Sequence, residues 1–367
     1  MKITAIDIYE YELAYRGGTY SLSMGRTTEA LRSIILRIDT DEGVSGWGEA
    51  CPLGRAHLPA FFEGELKALE LLGPRLLGCD PTCPAEIQAT MMKTLFARRA
   101  AKSAIDMACW DVTGRKYDVP VATLLGGVLQ SSFPVWDSIP ISTPQSAAGR
   151  AELLRAAGVR VVQVKVGDDP TVDIERVAAV RGVMGPECLL IADANGGWSL
   201  AHASIAARKL GAFDVYLEQP CRSLANCGEV RRSTGMSLIV DESVESIEDL
   251  VAAWSHAGAA GVNIKPGRLG GLTVARLARD VAVELGMVVA IDDTWGGAVT
   301  TAALAHLAAS TPRSAMLAAT FFTELATPII GAAPRRDATG LGSATSGPGL
   351  GVNIEASLIG APVLRIR

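Results

Sequence analysis

Histidine is scarce in this chain. His57, His202, His256 and His306 are the only four, and none stands in a ligand spacing such as H-E-x-x-H. Chemistry built on histidine is therefore disfavoured, and the last three fall in segments that read as helices on the outside of the fold. Aromatic residues are also few, at 5%. No apolar run approaches the roughly 18 residues of a membrane-spanning helix. The opening MKITAIDIYEYELAY alternates with charges where a signal peptide would carry a basic start and an apolar block. Neither charge sign dominates: 34 basic against 39 acidic side chains leave a formal charge of -5, with no basic stripe for nucleic acid. Cys51, Cys79, Cys83, Cys109, Cys188, Cys221 and Cys227 are odd in number and scattered, which favours free thiols in a reducing compartment. Cys79 and Cys83 lack the second pair or matching His that a zinc site requires. Gly270-Gly271 and Gly296-Gly297 miss the G-x-G-x-x-G spacing of a dinucleotide loop and read as close turns. The expectation is a cytoplasmic protein that meets neither membrane nor nucleic acid.

What is present is a 367-residue chain, 49% apolar, long enough for about two domains or for one α/β barrel with additions. Residues 2–15 alternate like a strand, and 30–46 hold a second strand pattern ending at an Asp-Glu-Gly turn. Helical patterns follow at 58–75, 83–94 and 97–117, so residues 1–125 read as a smaller α+β domain. In the third helix, Lys102, Ser103, Asp106 and Asp111 align polar groups along one side, as packing alone explains. From 126 to 324, short β-rich runs alternate with alanine-rich helical patterns. Strands are expected near 134–139, 160–166, 188–193, 214–218, 237–241, 261–265, 288–292 and 314–319. Runs such as VVQVKV and GMVVAI are apolar throughout, as in a parallel sheet covered on both faces. Eight such units predict a (β/α) barrel, although an open doubly wound sheet shares the local periodicity. Residues 325–367, rich in Gly and Pro around Ser346-Gly-Pro-Gly349, are expected to return to the first domain.

Ionisable residues stand at the strand ends: Lys165, Asp193, Glu218, Asp241, Lys265 and Asp292. Their separations of 28, 25, 23, 24 and 27 residues each match one βα unit, which brings all six to the barrel mouth where such folds build active sites. Asp193, Glu218 and Asp241 come from adjacent strands and would repel one another unless a cation neutralised them. Oxygen ligands without His or Cys suit Mg2+ rather than zinc. Asn195 and Glu242, just beyond two of these carboxylates, read as rim groups. Lys165 and Lys265 flank the arc from its two sides, so a substrate held in the middle presents one face to each amine. That arrangement describes proton transfer at a carbon next to a carboxylate, with a lysine whose pKa nearby cations lower. A non-catalytic binding protein or a structural oligomer has no use for two lysines in phase opposite three carboxylates.

The run Gln163-Val-Lys165-Val-Gly167, with Asp193-Ala-Asn195, Glu218-Gln-Pro220, Asp241-Glu-Ser243, Lys265-Pro-Gly-Arg-Leu-Gly-Gly271 and Asp292-Asp-Thr-Trp-Gly-Gly297, resembles the muconate-lactonising branch of the enolase superfamily across nearly the whole chain. The resemblance implies an α/β fold, a modified (β/α)8 TIM-like barrel with an α+β capping domain: 1–125 as the cap, 126–324 as the barrel and 325–367 returning to the cap. It implies Asp193, Glu218 and Asp241 as Mg2+ ligands, Lys165 and Lys265 as acid/base groups, and a homo-oligomer. One departure stands out, because the branch usually has Lys-x-Lys where this chain has Gln163-Val-Lys165. A neutral Gln163 leaves Lys165 without a cationic neighbour, so the substrate itself is expected to bring positive charge.

That substrate is expected to be a small cationic or zwitterionic amino acid with a carboxylate. Asp292, Asp293 and Trp295 are placed to receive its ammonium by charge pairing and cation–π contact. QVK, EQPC, IKPGRLGG, DDTWGG and SGPGLG resemble the subgroup that acts on proline-like compounds. The activity this implies is dehydration of cis-3-hydroxy-L-proline to Δ1-pyrroline-2-carboxylate through an enediolate, with 2-epimerisation as a side reaction. The alternative is a 2-epimerase of 4-hydroxyproline betaine or proline betaine. Gln163 and Asn195 in the barrel, and Tyr20, Met24, Arg26 and Arg55 in the cap with Tyr15 beside them, are the remaining candidates for lining the pocket.

Overall fold

In the computed structural model, which describes residues 1–54 and 59–367, the chain opens with a long antiparallel ribbon. β1 (Ile3–Tyr15) pairs with β4 (Ala30–Thr40), and β5 (Ser45–Ala50) extends the sheet; the short hairpin β2 (Tyr20–Leu22) and β3 (Arg26–Thr28) lies between in sequence. A bulge at Ile3–Ala5 sets the alternation, so that Ile3, Ile6 and Ile8 face one way and Tyr9, Tyr11 and Leu13 the other. The first face packs on α1 (Phe62–Leu76), α2 (Pro84–Thr94) and α3 (Arg99–Lys116). The second joins the main core shared with the barrel. Both faces are covered, which is why Ile34, Ile35 and Leu36 in β4 are apolar in succession and all buried. Gly48 lets α3 lie against β5, since a Cβ there would sit 1.8 Å from the Ala104 carbonyl oxygen. Lys102, Ser103, Asp106 and Asp111 are all buried, because α3 is wedged between sheet and barrel.

After α4 (Val121–Leu124) the barrel runs β6 (Phe133–Ile139), α5 (Pro144–Ala156), β7 (Val161–Lys165), α6 (Pro170–Met184), β8 (Leu189–Asp193), α7 (Leu200–Leu210), β9 (Val215–Glu218) and α8 (Leu224–Thr234). It continues with β10 (Leu238–Val240), α9 (Ile247–Ser255), β11 (Gly261–Ile264), α10 (Pro266–Leu269), α11 (Leu272–Glu284), β12 (Val288–Ile291), α12 (Ala298–Ala309) and β13 (Met316–Thr320). Every neighbouring pair is parallel, and β13 pairs back onto β6 at Ala319↔Val135 and Thr320↔Trp136. The sheet therefore closes, which excludes the open doubly wound alternative. Trp136, Val161, Ile191, Ile239, Ala290 and Ala318 fill the interior as a core of their own, while Val162, Val164, Leu190 and Ala192 point outward to the helices.

The helices start in two ways. α5, α6, α7, α8 and α9 carry their own caps: the side chains of Thr143, Asp169, Ser199, Ser223 and Ser246 accept from backbone N–H groups of their first turns. α11 and α12 instead follow Gly271 and Gly297 and have no side-chain cap of their own. Beyond the barrel, β14 (Ala326–Thr327) and β16 (Leu364–Ile366) pair with β1, and β15 (Leu341–Gly342) with β6. His202 and His256 are exposed, but His306 is not on the outside as its segment implied. Every residue of α12 is buried, because this helix lies beneath the cap and the C-terminal segment. No helix of the described residues is long and apolar enough to cross a membrane.

Candidate active site

The parallel register sets Lys165, Asp193 and Glu218 level with one another across β7, β8 and β9. Asp241 and Lys265 follow immediately after Val240 and Ile264, one step past the ends of β10 and β11. In the closed order β7 and β11 are four strands apart in an eight-strand barrel, so Lys165 and Lys265 stand on opposite sides of the mouth. Lys165 Nζ donates to Asp193 Oδ2 at 2.5 Å, and Lys265 Nζ to Asp241 Oδ2 at 2.9 Å. Lys265 also lies 3.3 Å from Asp292 Oδ2. Between the lysines, Glu218 is clamped by two amides: Gln163 Nε2 donates to its Oε2 at 2.8 Å and Asn263 Nδ2 to its Oε1 at 2.9 Å. Gln163 and Asn263 each stand two residues before a lysine, hence on the same face of their strands.

These groups are buried and shift one another. Burial, then the Asp193 and Asp241 charges, push the Glu218 carboxyl well above its usual range. Burial acts the same way on Asp241, but Arg268 and Lys265 outweigh it and hold that carboxyl low. Arg268 Nη2 donates to Asp241 Oδ1 at 2.6 Å. Glu242, which accepts from Asn195 Nδ2 at 3.0 Å, is raised to about 7 by burial and by the charges of Asp241 and Asp193. Lys165 and Lys265 differ from expectation. Burial acts to lower both, yet Asp193 beside one and Asp241 beside the other outweigh it and raise them. The cause is the carboxylate that each amine is paired with; Gln163, two residues before Lys165, is a neutral amide and adds no opposing charge. Among the described residues no three His, Cys, Asp or Glu side chains converge as a ready-made metal cage; Asp193 and Asp241 are each paired with a lysine.

A cavity of about 60 Å³ opens over this array. Of the residues singled out in the sequence, Gln163, Lys165, Asn195, Lys265, Asp292, Asp293, Trp295 and Tyr20 line it. Asp293 lines it with a carboxylate already engaged: Oδ2 accepts from Gly267 N at 2.9 Å and Oδ1 from Thr294 N at 2.7 Å. Burial nevertheless raises it to about 7. The Trp295 ring packs edge-on against Tyr15 and Tyr20 and tilts over Phe322. Tyr20 donates to Ser138 Oγ at 3.0 Å. Met24 and Arg26 do not line the cavity; they lie on the β2–β3 hairpin, where Met24 is exposed and Arg26 donates back to Ser23. Arg55 lies outside the described residues. Arg268, Asn263, Thr320 and Phe322 were not foreseen, although Asn263 repeats the offset of Gln163 from its lysine. Three buried atoms of the lining have no hydrogen-bond partner among the described residues: Asn195 Oδ1, Arg268 Nη1 and Trp295 Nε1. A polar ligand is what satisfies such atoms.

Comparison with known proteins agrees with this geometry. Residues 13–126 match the family described as mandelate racemase / muconate lactonizing enzyme, N-terminal domain, and residues 146–358 match the enolase C-terminal domain-like family. The chain is 38% identical over 365 residues to a cis-3-hydroxy-L-proline dehydratase of Roseibium aggregatum, with 100% of both chains covered. It is 32% identical over 278 residues to an N-succinyl-L-Arg/Lys racemase of Bacillus cereus, covering 74% of each chain. A solved structure from Roseovarius nubinhibens, a putative mandelate racemase/muconate lactonizing enzyme complexed with magnesium, superposes with a TM-score of 0.96 at 34% identity over 100% of both chains.

Proposed function

The chain belongs to the mandelate racemase/muconate lactonizing branch of the enolase superfamily, and from that membership we propose that it dehydrates cis-3-hydroxy-L-proline to Δ1-pyrroline-2-carboxylate with the help of Mg2+. The observation that carries this reading is the placement of Lys165 and Lys265 on opposite sides of the mouth with three carboxylates between them. Asp193, Glu218 and Asp241 would hold the ion. They are an all-oxygen set, and the burial and carboxylate repulsion that together push up Glu218 are what a hard divalent cation offsets. Mg2+ bound there supplies stabilisation of the negative charge that collects on the substrate carboxylate when the C2 proton leaves.

The lysines perform the proton transfers. In cis-3-hydroxy-L-proline the hydroxyl and the carboxylate share one ring face, so the C2 hydrogen and the C3 oxygen lie on opposite faces. One lysine takes the C2 proton. The opposite lysine then faces the hydroxyl and gives it a proton as the C3–O bond breaks, releasing water. The enamine left in the ring tautomerises to Δ1-pyrroline-2-carboxylate. Returning the proton to C2 from the second lysine, with the hydroxyl retained, is the 2-epimerase side reaction. Tyr20, Trp295 and Phe322 give the cavity an aromatic wall against which a proline ring would pack. Asp292, Asp293 and Trp295 stand where the ring nitrogen would lie, and Gln163 and Asn195 complete the floor. A homo-oligomer is part of the same proposal.

The test is incubation with Mg2+ in D2O, followed by proton NMR. Samples of cis-3-hydroxy-L-proline, trans-3-hydroxy-L-proline, trans-4-hydroxy-L-proline betaine and proline betaine are compared. Water loss from the cis isomer is expected, with at most C2 exchange from the trans isomer, whose hydrogen and hydroxyl share a face. Chelation should end turnover. Exchange at C2 of the betaines, without water loss from any sample, would establish the epimerase instead.

A further inference from the structure

α11 and α12, which have no side-chain caps of their own, receive them from the other domain. Glu49, at the end of β5, accepts from Gly297 N and Thr300 N at 2.9 Å each, the first turn of α12. Asp106, in the middle of α3, accepts from Thr273 N at 2.9 Å and Thr273 Oγ1 at 2.6 Å, the first turn of α11. Each carboxylate is buried and held from behind: Glu49 by Tyr11 OH and Ser33 Oγ, Asp106 by Gln88 Nε2. The glycines make room. A Cβ on Gly271 would sit 2.4 Å from Asp106, and one on Gly297 would sit 2.1 Å from Tyr11 OH. A local Ser or Asp cap of the kind used by α5 to α9 therefore has no space here.

What these helices follow gives the caps their significance. α11 comes directly after the turn that carries Lys265 and Arg268, and α12 directly after the segment that carries Asp292, Asp293 and Trp295. The two segments are joined by the bond from Gly267 N to Asp293, and the second is tied to the cap again where Thr294 Oγ1 donates to the Cys51 carbonyl at 3.0 Å. Resting on the proposed function for its kinetic part, we infer that Glu49 and Asp106 are positioning residues, which set Lys265, Arg268 and Trp295 against the substrate by capping α12 and α11 across the domain interface. Neither touches the cavity. They act through the backbone N–H groups that fix where each turn ends.

The experiment compares Glu49→Gln and Asp106→Asn with Ser246→Ala, which removes a self-supplied cap from α9. Each amide variant keeps its shape but sets an N–H donor against donors. Amide hydrogen exchange is followed without metal or substrate, alongside kcat and KM for cis-3-hydroxy-L-proline. Loss of a cap should speed exchange about tenfold in 265–275 for Asp106→Asn and in 292–301 for Glu49→Gln. In both variants kcat/KM should fall by about the same factor, mainly through KM. Ser246→Ala should lower Tm with kcat/KM unchanged. Should Asp106→Asn fail to fold, Thr273→Val replaces it, losing only the hydroxyl shared by Asp106 and Trp110; should Glu49→Gln fail, Tyr11→Phe replaces it, losing one of the hydroxyls that hold Glu49 from behind. The inference is overturned if the variants lower Tm as Ser246→Ala does while local exchange and KM stay at wild-type values. If the wild type does not dehydrate the hydroxyproline, the functional reading fails by itself and the exchange measurement alone decides the positioning role.

Discussion

The two flanks of the carboxylate arc are close to mirror images in composition and unlike in support. On one side β7 and β8 bring Gln163, Lys165 and Asp193; on the other β11 and β10 bring Asn263, Lys265 and Asp241, with Glu218 on the axis between. Each lysine holds one aspartate, and each amide holds one oxygen of the glutamate. The helices of the first flank supply their own caps, and it meets the other domain at the β2–β3 hairpin, where Met24 N donates to Asp168 Oδ1 at 2.8 Å. The second adds Arg268 and Asp292 to its charges and leans on the cap through Glu49, Asp106 and the Cys51 carbonyl. Proton transfer needs two amines, and both flanks provide that. Recognition needs a wall shaped to one substrate, and on the second flank the helices behind that wall are capped from the other domain.

The largest expected effect tests the flanks directly. Lys165→Ala and Lys265→Ala should each lose dehydration by a factor of about 100 to 10,000 while remaining folded by circular dichroism. The variants should then part company in D2O: one loses C2 exchange as well, and the other keeps exchange without releasing water. The first has lost the base and the second the acid. Full activity in both would end the proton-transfer mechanism, whereas loss of exchange in both would mean that the flanks do not divide the work by face.

The docked half also carries a pH-sensitive anchor. On α12, His306 Nδ1 accepts from Ala122 N at 3.2 Å, and its Nε2 lies 3.0 Å from Thr345 Oγ1, which donates onward to the Leu350 carbonyl. An accepting Nδ1 fixes the neutral ring with its proton on Nε2. Burial lowers this histidine to about 4. A folded pKa below that of the unfolded chain, about 6.5, stabilises the protein above pH 6.5 and loses that contribution as pH falls toward 4. The loss should amount to about 3 kcal/mol. Thermal melts between pH 7 and 4 should show it, and His306→Gln should flatten that part of the profile. A variant whose Tm falls as steeply as the wild type's would place the acid sensitivity elsewhere.

The first flank was the more legible in sequence, for a physical reason. A strand buried on both faces is apolar until its last residue, so Lys165, Asp193 and Glu218 announce the mouth by breaking an apolar run at one βα spacing. The eight strands and the three cap helices were legible on the same grounds. Supports that cross the interface leave no such mark. Glu49 lies 248 residues from Gly297, and nothing local ties the two. The missing caps of α11 and α12 were nonetheless visible as Gly-Gly where the other helices begin with Thr, Asp or Ser. The burial of His306 was visible too, in a helix apolar on every side, AVTTAALAHLAA. Asp293 stood out as a strand-end carboxylate, but its engagement with two backbone N–H groups depends on a turn 26 residues away.

The smallest expected effect lies where the flanks meet. Gln163→Leu and Asn263→Leu each leave one oxygen of the buried Glu218 without its donor, at a cost of about 1 to 3 kcal/mol. If Glu218 senses the two flanks alike, each variant should lower kcat/KM about tenfold. The double variant should then depart from the sum of the singles, because both amides act through one carboxylate. A larger loss from Asn263→Leu is the informative asymmetry. Asn263 shares its strand with Lys265, and its carbonyl accepts from Arg268, so its side chain is set by the docked half. Equal losses would confine the influence of the cap to the substrate wall, and a silent Gln163→Leu would show that the first flank holds Glu218 by other means.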